Sequence, residues 1–531
     1  MEVNKTNNQA NLESELNFAP LDLPKDTNNI IDVIKDEVNK HKVKHIISHS
    51  EIFDEILEKA QSIDYEDIVF PQLKELRKRL KSVEAGSSES KLINSEIRKC
   101  KLLPRHYSVV TIEELDNLVK KHNLGLSKRN GSIYIYNGAF WKKVNEDEFK
   151  YFLKQISLKF GLEKYNAKYH RTIDDLFKQF HSSSYLKLPE QNIYKVLINL
   201  ANGTLEINKG RIKLREFRKN DFLTYQLNFN YNPEAKAPIF QRYLDRVLPQ
   251  KELQFNLSEY VGSAFIKNGN EDLKFEKTLI LYGSGANGKS VFFEIVNKLF
   301  GKENITSFSL QKLTDDTGYS RVHIEGKLIN YASEISTKID TNTFKQLSSG
   351  EPVEARSPHK EPFIMTDYAK IICNCNELPK DVEQNEAFFR RFLIIPFKIT
   401  IPKEERNKNL HNEIIDNELD GVLNWVLEGL NRIITTRHFT KSNIVEEMLN
   451  QYKLESDSVA MFIDEGYIKS TKGHYLVTKL YQNYREYCTS SGFVALNQKN
   501  FKRRLEAQNI EIKRTSAGMY VYVESTMIND F

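Results

Sequence analysis

Cysteine, tryptophan and long apolar runs are all scarce in this chain of 531 residues. The four cysteines, Cys100, Cys373, Cys375 and Cys488, include no C-x-x-C pair and suggest no disulfide framework. Cys373 and Cys375 alternate within an apolar stretch that reads as a strand, so packing accounts for them better than a metal does. This usage fits a reducing compartment, and a cytoplasmic setting such as a bacterial host's cytosol is expected. The first 29 residues are polar and Asn-rich and lack the apolar core of a signal peptide. No run is long enough to span a bilayer, so no membrane partner is expected. Charge of one sign is lacking too. The formal net charge is only +5, and any nucleic-acid face must come from local clustering. No internal repeat is evident.

What the chain does contain is the loop Gly283-Ser284-Gly285-Ala286-Asn287-Gly288-Lys289-Ser290. Thr278 to Tyr282, just before it, reads as a buried strand. Val291, Phe292, Ile295, Val296 and Leu299, just after it, recur at helical spacing and end at Gly301. Strand, glycine loop and helix form the context a phosphate-binding loop requires. Gly283, Gly285 and Gly288 let the backbone wrap a triphosphate with N–H groups turned inward, and Asn287 belongs to the same cradle. The helix start adds its partial positive charge. Lys289 is expected on the outer phosphates and Ser290 on Mg²⁺, so the expected cofactors are ATP and Mg²⁺.

Upstream, residues 1–30 have few large apolar side chains and are expected to be disordered. Ser48-His49-Ser50-Glu51 reads as a capping box ahead of Ile52, Phe53, Ile56 and Leu57. Leu73, Leu76 and Leu80 mark another amphipathic helix, Asp64 to Asp67 a solvated turn, and Gly86 to Ser90 a linker. A small α+β module follows. Ser132 to Tyr136 alternates as a strand, Asn137-Gly138 signals a hairpin, and a helix starts near Glu146. Thr204 to Ile207 and Arg211 to Leu214 flank Lys209-Gly210. Arg211, Lys213, Arg215, Arg218 and Lys219 cluster, more simply as a charged strand face than as a nucleic-acid patch. Residues 246–275 are expected to be helical.

Four stretches after the loop bear on what is done with the nucleotide. Lys327 to Ala332 is a mostly apolar strand followed by Ser333 and Glu334. A carboxylate there holds Mg²⁺ or orients the attacking water, and Glu334 is the candidate, 45 residues after Lys289. Pro352 to Met365 reads as a β-hairpin with a positive tip, an ordinary surface feature unless a ring of such tips holds a strand's phosphates. Arg356, His359 and Lys360 are its candidate DNA contacts. Ala369 to Cys375 is a further buried strand ending in Asn376, which can bond an outer phosphate or the attacking water, or simply cap the strand. Phe388 to Phe397 carries Arg390 and Arg391 inside apolar sequence. Buried guanidinium needs an anion, either a neighbouring subunit's triphosphate or a structural carboxylate.

Taken in order, the loop, the Ser333-Glu334 strand, Phe344 to Glu351 with Arg356, Asn376-Glu377-Leu378-Pro379, and Arg390-Arg391 before Pro396-Phe397 resemble the superfamily 3 helicases. They most closely resemble the phage/plasmid and poxvirus primase–helicase family. The stretch from Asn202-Gly203 to Gly262 and the motifs Glu418 to Gly421, Asn424-Trp425 and Gly429-Leu430 resemble that family's flanking regions. Lys289 to Arg391 spans 102 residues, compact as the family is. The resemblance implies an AAA+-type ATPase core assembled as a ring, usually a hexamer, around DNA. By position it puts Lys289 and Ser290 in Walker A, Glu334 in Walker B and Asn376 at sensor 1. It makes Arg391, with Arg390 beside it, the finger that acts across a subunit interface, and puts His359 and Lys360 on a DNA-tracking hairpin. It also implies 3′-to-5′ movement. Many relatives carry a primase domain upstream, but roughly 100 residues of helix and disorder are too few for one. Primer synthesis is therefore not expected, and a separate primase or initiator is a possible partner.

Beyond Ile401 the sequence turns helical to Asn450, and Ser456-Asp457-Ser458 opens a new segment. Thr478 to Tyr487 and Asn497 to Leu505 read as helices, and Ile510 to Val523 as a hairpin. Helix, helix, hairpin is a winged-helix pattern. From Lys469 to Arg514 there are ten Lys/Arg and three Glu, a surplus of seven positive charges. Lys499, Lys502, Arg503 and Arg514 are the candidate DNA contacts there.

The expected fold is α/β. An AAA+-like P-loop ATPase core with a parallel sheet (246–400) follows a disordered tail (1–30), a helical region (31–110) and an α+β module (111–245). A helical segment (401–453) and a winged-helix DNA-binding domain (454–531) come after it. The expected function is that of a replicative helicase of a phage, plasmid or other mobile element, moving on single-stranded DNA and opening forked duplex. The alternatives are an ATP-switched, origin-binding initiator and a protein-remodelling ATPase.

Overall fold

The computed structural model describes residues 48–526 apart from 130, 185–194, 209, 334–338, 360, 380–383 and 472–473. The tail expected at 1–30 lies outside the described residues. Helices Ile52–Lys59, Tyr65–Val69, Leu73–Ser82, Ser88–Lys99 and Pro104–Lys121 lead into an antiparallel sheet of β1 (Gly125–Arg129), β2 (Ser132–Tyr136) and β3 (Trp141–Lys143). Helices Glu146–Lys159, Lys164–Lys168 and His170–Ser183 complete this unit. A helix as short as Ile52–Lys59 cannot bury its own apolar face. Its Ile52, Phe53 and Ile56 therefore share one core with Leu115, Ile133, Phe149, Phe152 and Leu176. A boundary at 110 is thus corrected, because the 104–121 helix and this core both run through it.

Two local readings are corrected as well. Glu51 does accept the Ser48 N–H at 3.1 Å, but Ser48 Oγ turns to Ser50 Oγ, so only half of the capping box forms. Gly86 to Ser90 is no linker. Ser87 accepts the Ser90 N–H at 3.1 Å and caps the 88–99 helix, for which Ser88 to Ser90 supply the first turn.

β4 (Lys195–Leu200), β5 (Gly203–Asn208) and β6 (Arg211–Arg215) form an antiparallel meander. The basic cluster on it is partly spoken for. Arg215 lies 2.9 Å from Glu206 and 2.9 Å from Asp221, and Lys219 donates to the Leu124 carbonyl at 2.8 Å. Val196, Ile198, Leu205 and Ile207 pack into the same core as the helices Pro238–Val247 and Lys251–Ser263. A boundary at 245 therefore cuts a helix and a core that are continuous.

The central sheet contains β7 (Thr278–Tyr282), β8 (Ile305–Thr306), β9 (Ile329–Ala332), β12 (Lys370–Cys375) and β13 (Phe392–Pro396). β10 (Val353–Ala355) and β11 (Phe363–Met365) form an antiparallel hairpin ahead of β12. The sheet order is β13-β7-β12-β9-β8, parallel throughout. Side chains alternate between its two faces. Leu279 and Leu281 pack with the helices 238–247, 251–263, Lys289–Phe300 and Leu410–Thr436, whereas Ile280 packs with Phe344, Phe388 and Tyr452 on the other side. No helix among the described residues is long and apolar enough to cross a membrane.

The C-terminal unit has helices Ser458–Gly466, Val477–Ser491 and Gln498–Ala507 and strands β14 (Tyr467–Lys469) and β15 (Tyr475–Leu476). It ends in β16 (Ile512–Thr515), β17 (Gly518–Val521) and β18 (Val523–Ser525), around a core of Phe462, Leu480, Tyr484, Phe501 and Val521. Gly492 ends its longest helix in the left-handed conformation.

The 410–436 helix ties the molecule together through small residues. A Cβ on Gly429 would stand 2.3 Å from the Ser258 carbonyl carbon, and one on Gly421 would stand 2.4 Å from that of Lys236. Buried Glu418 accepts the N–H groups of Ile239 and Phe240 at 2.8 and 2.9 Å, placing a carboxylate at the start of the 238–247 helix. Gly429→Ala is expected to destabilise the protein by about 1–3 kcal/mol through overpacking. Glu418→Gln is expected to cost about 1–2 kcal/mol through the lost charge and one mismatched N–H. Denaturant melts of the full chain check both. Cys373, Cys375 and Cys488 are buried, and desolvation pushes the Cys375 thiol up to about 12. Only half-exposed Cys100 is therefore expected to react with iodoacetamide in the native protein at pH 8.

Candidate functional site

β7 delivers the chain to the C-terminal edge of the sheet, and the glycine loop turns there into the 289–300 helix. The loop is shaped by close approach. A Cβ on Gly283 would lie 2.3 Å from the Phe397 carbonyl oxygen, and one on Gly288, at φ +92°, would lie 2.8 Å from Val247 Cγ1. Ala286 is also left-handed, at φ +61°. Buried Asn287 donates from Nδ2 to the Ser284 carbonyl and, at 3.1 Å, to that of Phe397. Tyr243 on the 238–247 helix donates to the Gly288 carbonyl at 2.9 Å. Asn287 thus works as an internal tie of the cradle, and Tyr243 and Phe397 brace it from outside.

Lys289 is buried, and among the described residues its ammonium is held by carbonyls and amides. It donates to the Gly283 carbonyl, to the Ser284 carbonyl at 3.2 Å, to Asn287 Oδ1 at 3.2 Å and to Asn376 Oδ1 at 3.3 Å. Burial holds its pKa below the ordinary lysine value. An anion in the loop would reverse that penalty. Ser284, Gly285, Ala286 and Ser290 are exposed around it. This donor set fits a triphosphate: an exposed glycine loop, a cation that among the described residues has no carboxylate partner, and a hydroxyl at the helix start. Glu334 lies outside the described residues, and Ser333 before it follows β9 at the same edge of the sheet. Among the described residues no three His, Cys, Asp or Glu side chains cluster as a metal site.

The two arginines sit at the other edge. β13 runs parallel to β7 with Phe392 opposite Thr278 and Pro396 opposite Tyr282. Arg390 and Arg391 enter before Phe392, so they stand roughly 13 Å or more from the loop of their own chain, counted along the strand at ~3.3 Å per residue. They also part company. Arg391 is buried, with Nε and Nη2 donating to Ser349 Oγ at 3.1 and 3.0 Å and Nη1 to the Ala387 carbonyl at 2.5 Å. Arg390 is exposed and lies 3.0 Å from Glu276. Arg391, expected to lead as the finger, is thus the inner guanidinium, and Arg390 is the one presented outward.

The hairpin expected at 352–365 is β10–β11. Buried Arg321 fastens it, donating to the Glu354 carbonyl at 2.6 Å and to those of Leu313 and Asp315 at 3.0 and 2.7 Å. Arg356 and His359 are exposed at the tip, His359 at φ +61°, and Lys360 lies outside the described residues. In the C-terminal unit Lys499, Arg503 and Arg514 are exposed, whereas Lys502 leans on Met519 Sδ at 3.9 Å. Arg504 turns inward to Asp457 at 3.9 Å and to the Gln384 carbonyl at 3.3 Å.

With this geometry in hand, three families match. Residues 117–249 match the family described as D5 N terminal like, and residues 454–530 the one described as Poxvirus D5 protein-like. Residues 281–391, from the loop to Arg391, match a family of unknown function, DUF5906. The two D5 matches support a D5-like superfamily 3 helicase, the family that the motif order resembles. Among curated relatives it is similar to the putative helicase L207/L206 of Acanthamoeba polyphaga mimivirus, 23% identical over 345 residues, or 59% of this chain and 34% of the relative. It is also similar to the putative helicase 121R of Invertebrate iridescent virus 3, 22% identical over 331 residues, or 55% of this chain and 34% of the relative. The chain thus spans about a third of the length of these relatives. An apo structure of the NrS-1 C terminal region is similar at 12% identity and a TM-score of 0.42, over 78% of this chain and 99% of that one.

Asn287→Ala is expected to weaken binding of a fluorescent ATP analogue about tenfold, or ~1.4 kcal/mol, because the tie between Ser284 and Phe397 is lost. Tyr243→Phe removes one brace and is expected to weaken it less. Unchanged binding in Asn287→Ala would show that the loop is held some other way.

Proposed function

We propose that the chain is an ATP-driven DNA helicase of a virus, phage or other mobile element, working as a ring of copies around one DNA strand. In this reading Gly283 to Ser290 is a P-loop in an AAA+-type core, and residues 454–526 are a winged helix that helps to load DNA. The observation that carries the reading is the placement of Arg390. It is exposed at the sheet edge remote from Lys289, so a copy can offer it only to the nucleotide of a neighbour. Head-to-tail use of two different surfaces builds rings. Bound at Ser290 with Glu334, Mg²⁺ would supply charge neutralisation at the phosphates. The chain's own groups do the rest. Lys289 binds the outer phosphates, Asn376 is placed beside Lys289 to orient the attacking water, and Arg390 of the adjacent copy offsets charge that develops at the γ-phosphate. Departure of the cleaved phosphate after hydrolysis takes that charge away, releases the arginine and lets the hairpin move along the strand. The similarity to viral putative helicases supports the assignment, as do the exposed basic residues of the C-terminal unit. The free thiols are in keeping with a cytosolic setting.

Mixing two inactive variants tests the shared site. Lys289→Ala and Arg390→Ala are each expected to lose at least a hundredfold in ATP hydrolysis. Mixed in equal amounts they should recover a clear fraction, because an interface with Arg390 from one copy and Lys289 from the other is intact. Arg391→Ala should instead lower stability. An Arg390→Ala protein that hydrolyses ATP at the wild-type rate at high dilution would overturn the reading.

A further inference from the structure

Along the sheet edge remote from the loop runs a line of ion pairs that neither the nucleotide cradle nor the DNA faces explain. Arg390 Nη2 is 3.0 Å from Glu276 Oε2, and Arg391 Nη2 is 3.8 Å from the same oxygen. Lys274 Nζ lies 3.1 Å from Glu276 Oε1 and 3.1 Å from Glu351 Oε1, so one ammonium is shared by two carboxylates. Glu351 is the residue after Gly350, the left-handed cap of the Thr341–Ser349 helix, and it opens the arm that becomes β10. Glu276 has a φ of +48°. A residue with a side chain holds that conformation where its surroundings impose it, and here three cations converge on its carboxylate.

A second, neutral track lies beneath the first. Thr278 Oγ1 is 2.9 Å from Ser348 Oγ, and Arg391 is bonded to Ser349. The end of the 341–349 helix is therefore fixed to β7 and β13 by buried contacts, and Tyr368 donates to the carbonyls of Gln346 and Glu351 at 3.1 and 2.8 Å. The carboxylate of Glu351 is tied instead to the outer, ionic track.

We propose that Glu276 and Lys274 are positioning residues that form an ionic relay from Arg390 to Glu351 at the root of the β10–β11 hairpin. The relay rests on the reading that Arg390 engages a neighbouring copy's triphosphate. A triphosphate carries more negative charge than a single carboxylate and takes Arg390 from Glu276. Glu276, short of one cation, then draws Lys274 toward itself and away from Glu351, and the hairpin root loses that tie. When Arg390 returns, Lys274 is shared again. The Arg390, Lys274 and Glu351 side chains are 55, 38 and 46% exposed, so each pair is weak alone and exchanges at small cost, as a switch requires.

The full chain carries the test, with ATP hydrolysis measured with and without an oligo(dT) strand, unwinding of a forked duplex, and hydrogen exchange across β10. In Lys274→Met, hydrolysis without DNA should stay within about twofold of wild type, while stimulation by oligo(dT) and unwinding fall at least fivefold. Lys274→Arg, which keeps the charge, should retain both. Exchange at Val353 to Ala355 should rise in the wild type when a non-hydrolysable ATP analogue fills the assembled sites. In Lys274→Met it should be high and unresponsive. Wild-type stimulation and unwinding in Lys274→Met, alongside an inactive Arg390→Ala, would overturn the relay and leave the shared nucleotide site standing. Wild-type hydrolysis in Arg390→Ala would overturn both. Loss of hydrolysis without DNA in Lys274→Met and Lys274→Arg alike would show Lys274 to be a folding residue and overturn the relay.

Discussion

The parallel pairing of β7 with a neighbour on each side is the constraint on which the rest of the nucleotide region depends. A strand paired on both edges and covered on both faces has no freedom to shift register, because a slip of one residue would move Leu279 and Leu281 into the opposite face's packing and break both ladders. Its end is therefore fixed, and so is everything attached there. Gly283 donates its N–H to the Cys375 carbonyl at the end of β12, at 3.0 Å. Phe397, just past β13, supplies the carbonyl that Asn287 uses. The three strands that end together thus build the cradle from backbone, and Lys289 and Asn376 are brought within 3.3 Å although 87 residues separate them.

The same pairing explains the opposite edge. Strands that run parallel begin together as well as end together, so residues that precede β7 and residues that precede β13 must be neighbours. Lys274, Glu276 and Lys277 therefore face Arg390 and Arg391, and Lys277 donates to the Arg390 carbonyl at 2.6 Å. A charge cluster there follows from topology. The helix that ends at Ser349 is drawn into the same cluster through Ser348 and Ser349, which gives those two small residues a structural reason to stand where they do.

Much of this was legible in the sequence, and the limits were physical. The loop, the strands that flank it, the hairpin and the helix-helix-hairpin order at the C-terminus were readable because each carries a local signature, either glycine spacing, period-two alternation or a break at a glycine. Unit boundaries were not. Helix 104–121 serves two apparent segments, and the β4–β6 meander shares its core with helices some 200 residues away in sequence, such as 410–436. Such sharing has no local signal, since burial is decided by partners distant along the chain. Gly86 to Ser90 misled because Gly-Ser composition suits a flexible linker and a helix cap equally, and only the Ser87 Oγ contact distinguishes them. Tyr243 was missed because an aromatic on an amphipathic helix face reads as core, which it also is. Its hydroxyl bonds the loop at the Gly288 carbonyl.

Arg390 and Arg391 were legible as a pair but not as individuals. Their side chains leave the backbone in different directions where the short Glu386–Phe389 helix gives way to β13. One guanidinium therefore goes inward and needs polar partners supplied by the fold, which Ser349 and the Ala387 carbonyl provide. The other goes outward and meets the partly buried carboxylate of Glu276. A buried charge is costly to release and a surface pair is cheap to exchange. The inner arginine therefore suits a fixed anchor and the outer one a contact that is made and broken, so a doubled arginine at a strand entrance divides into two roles by geometry alone.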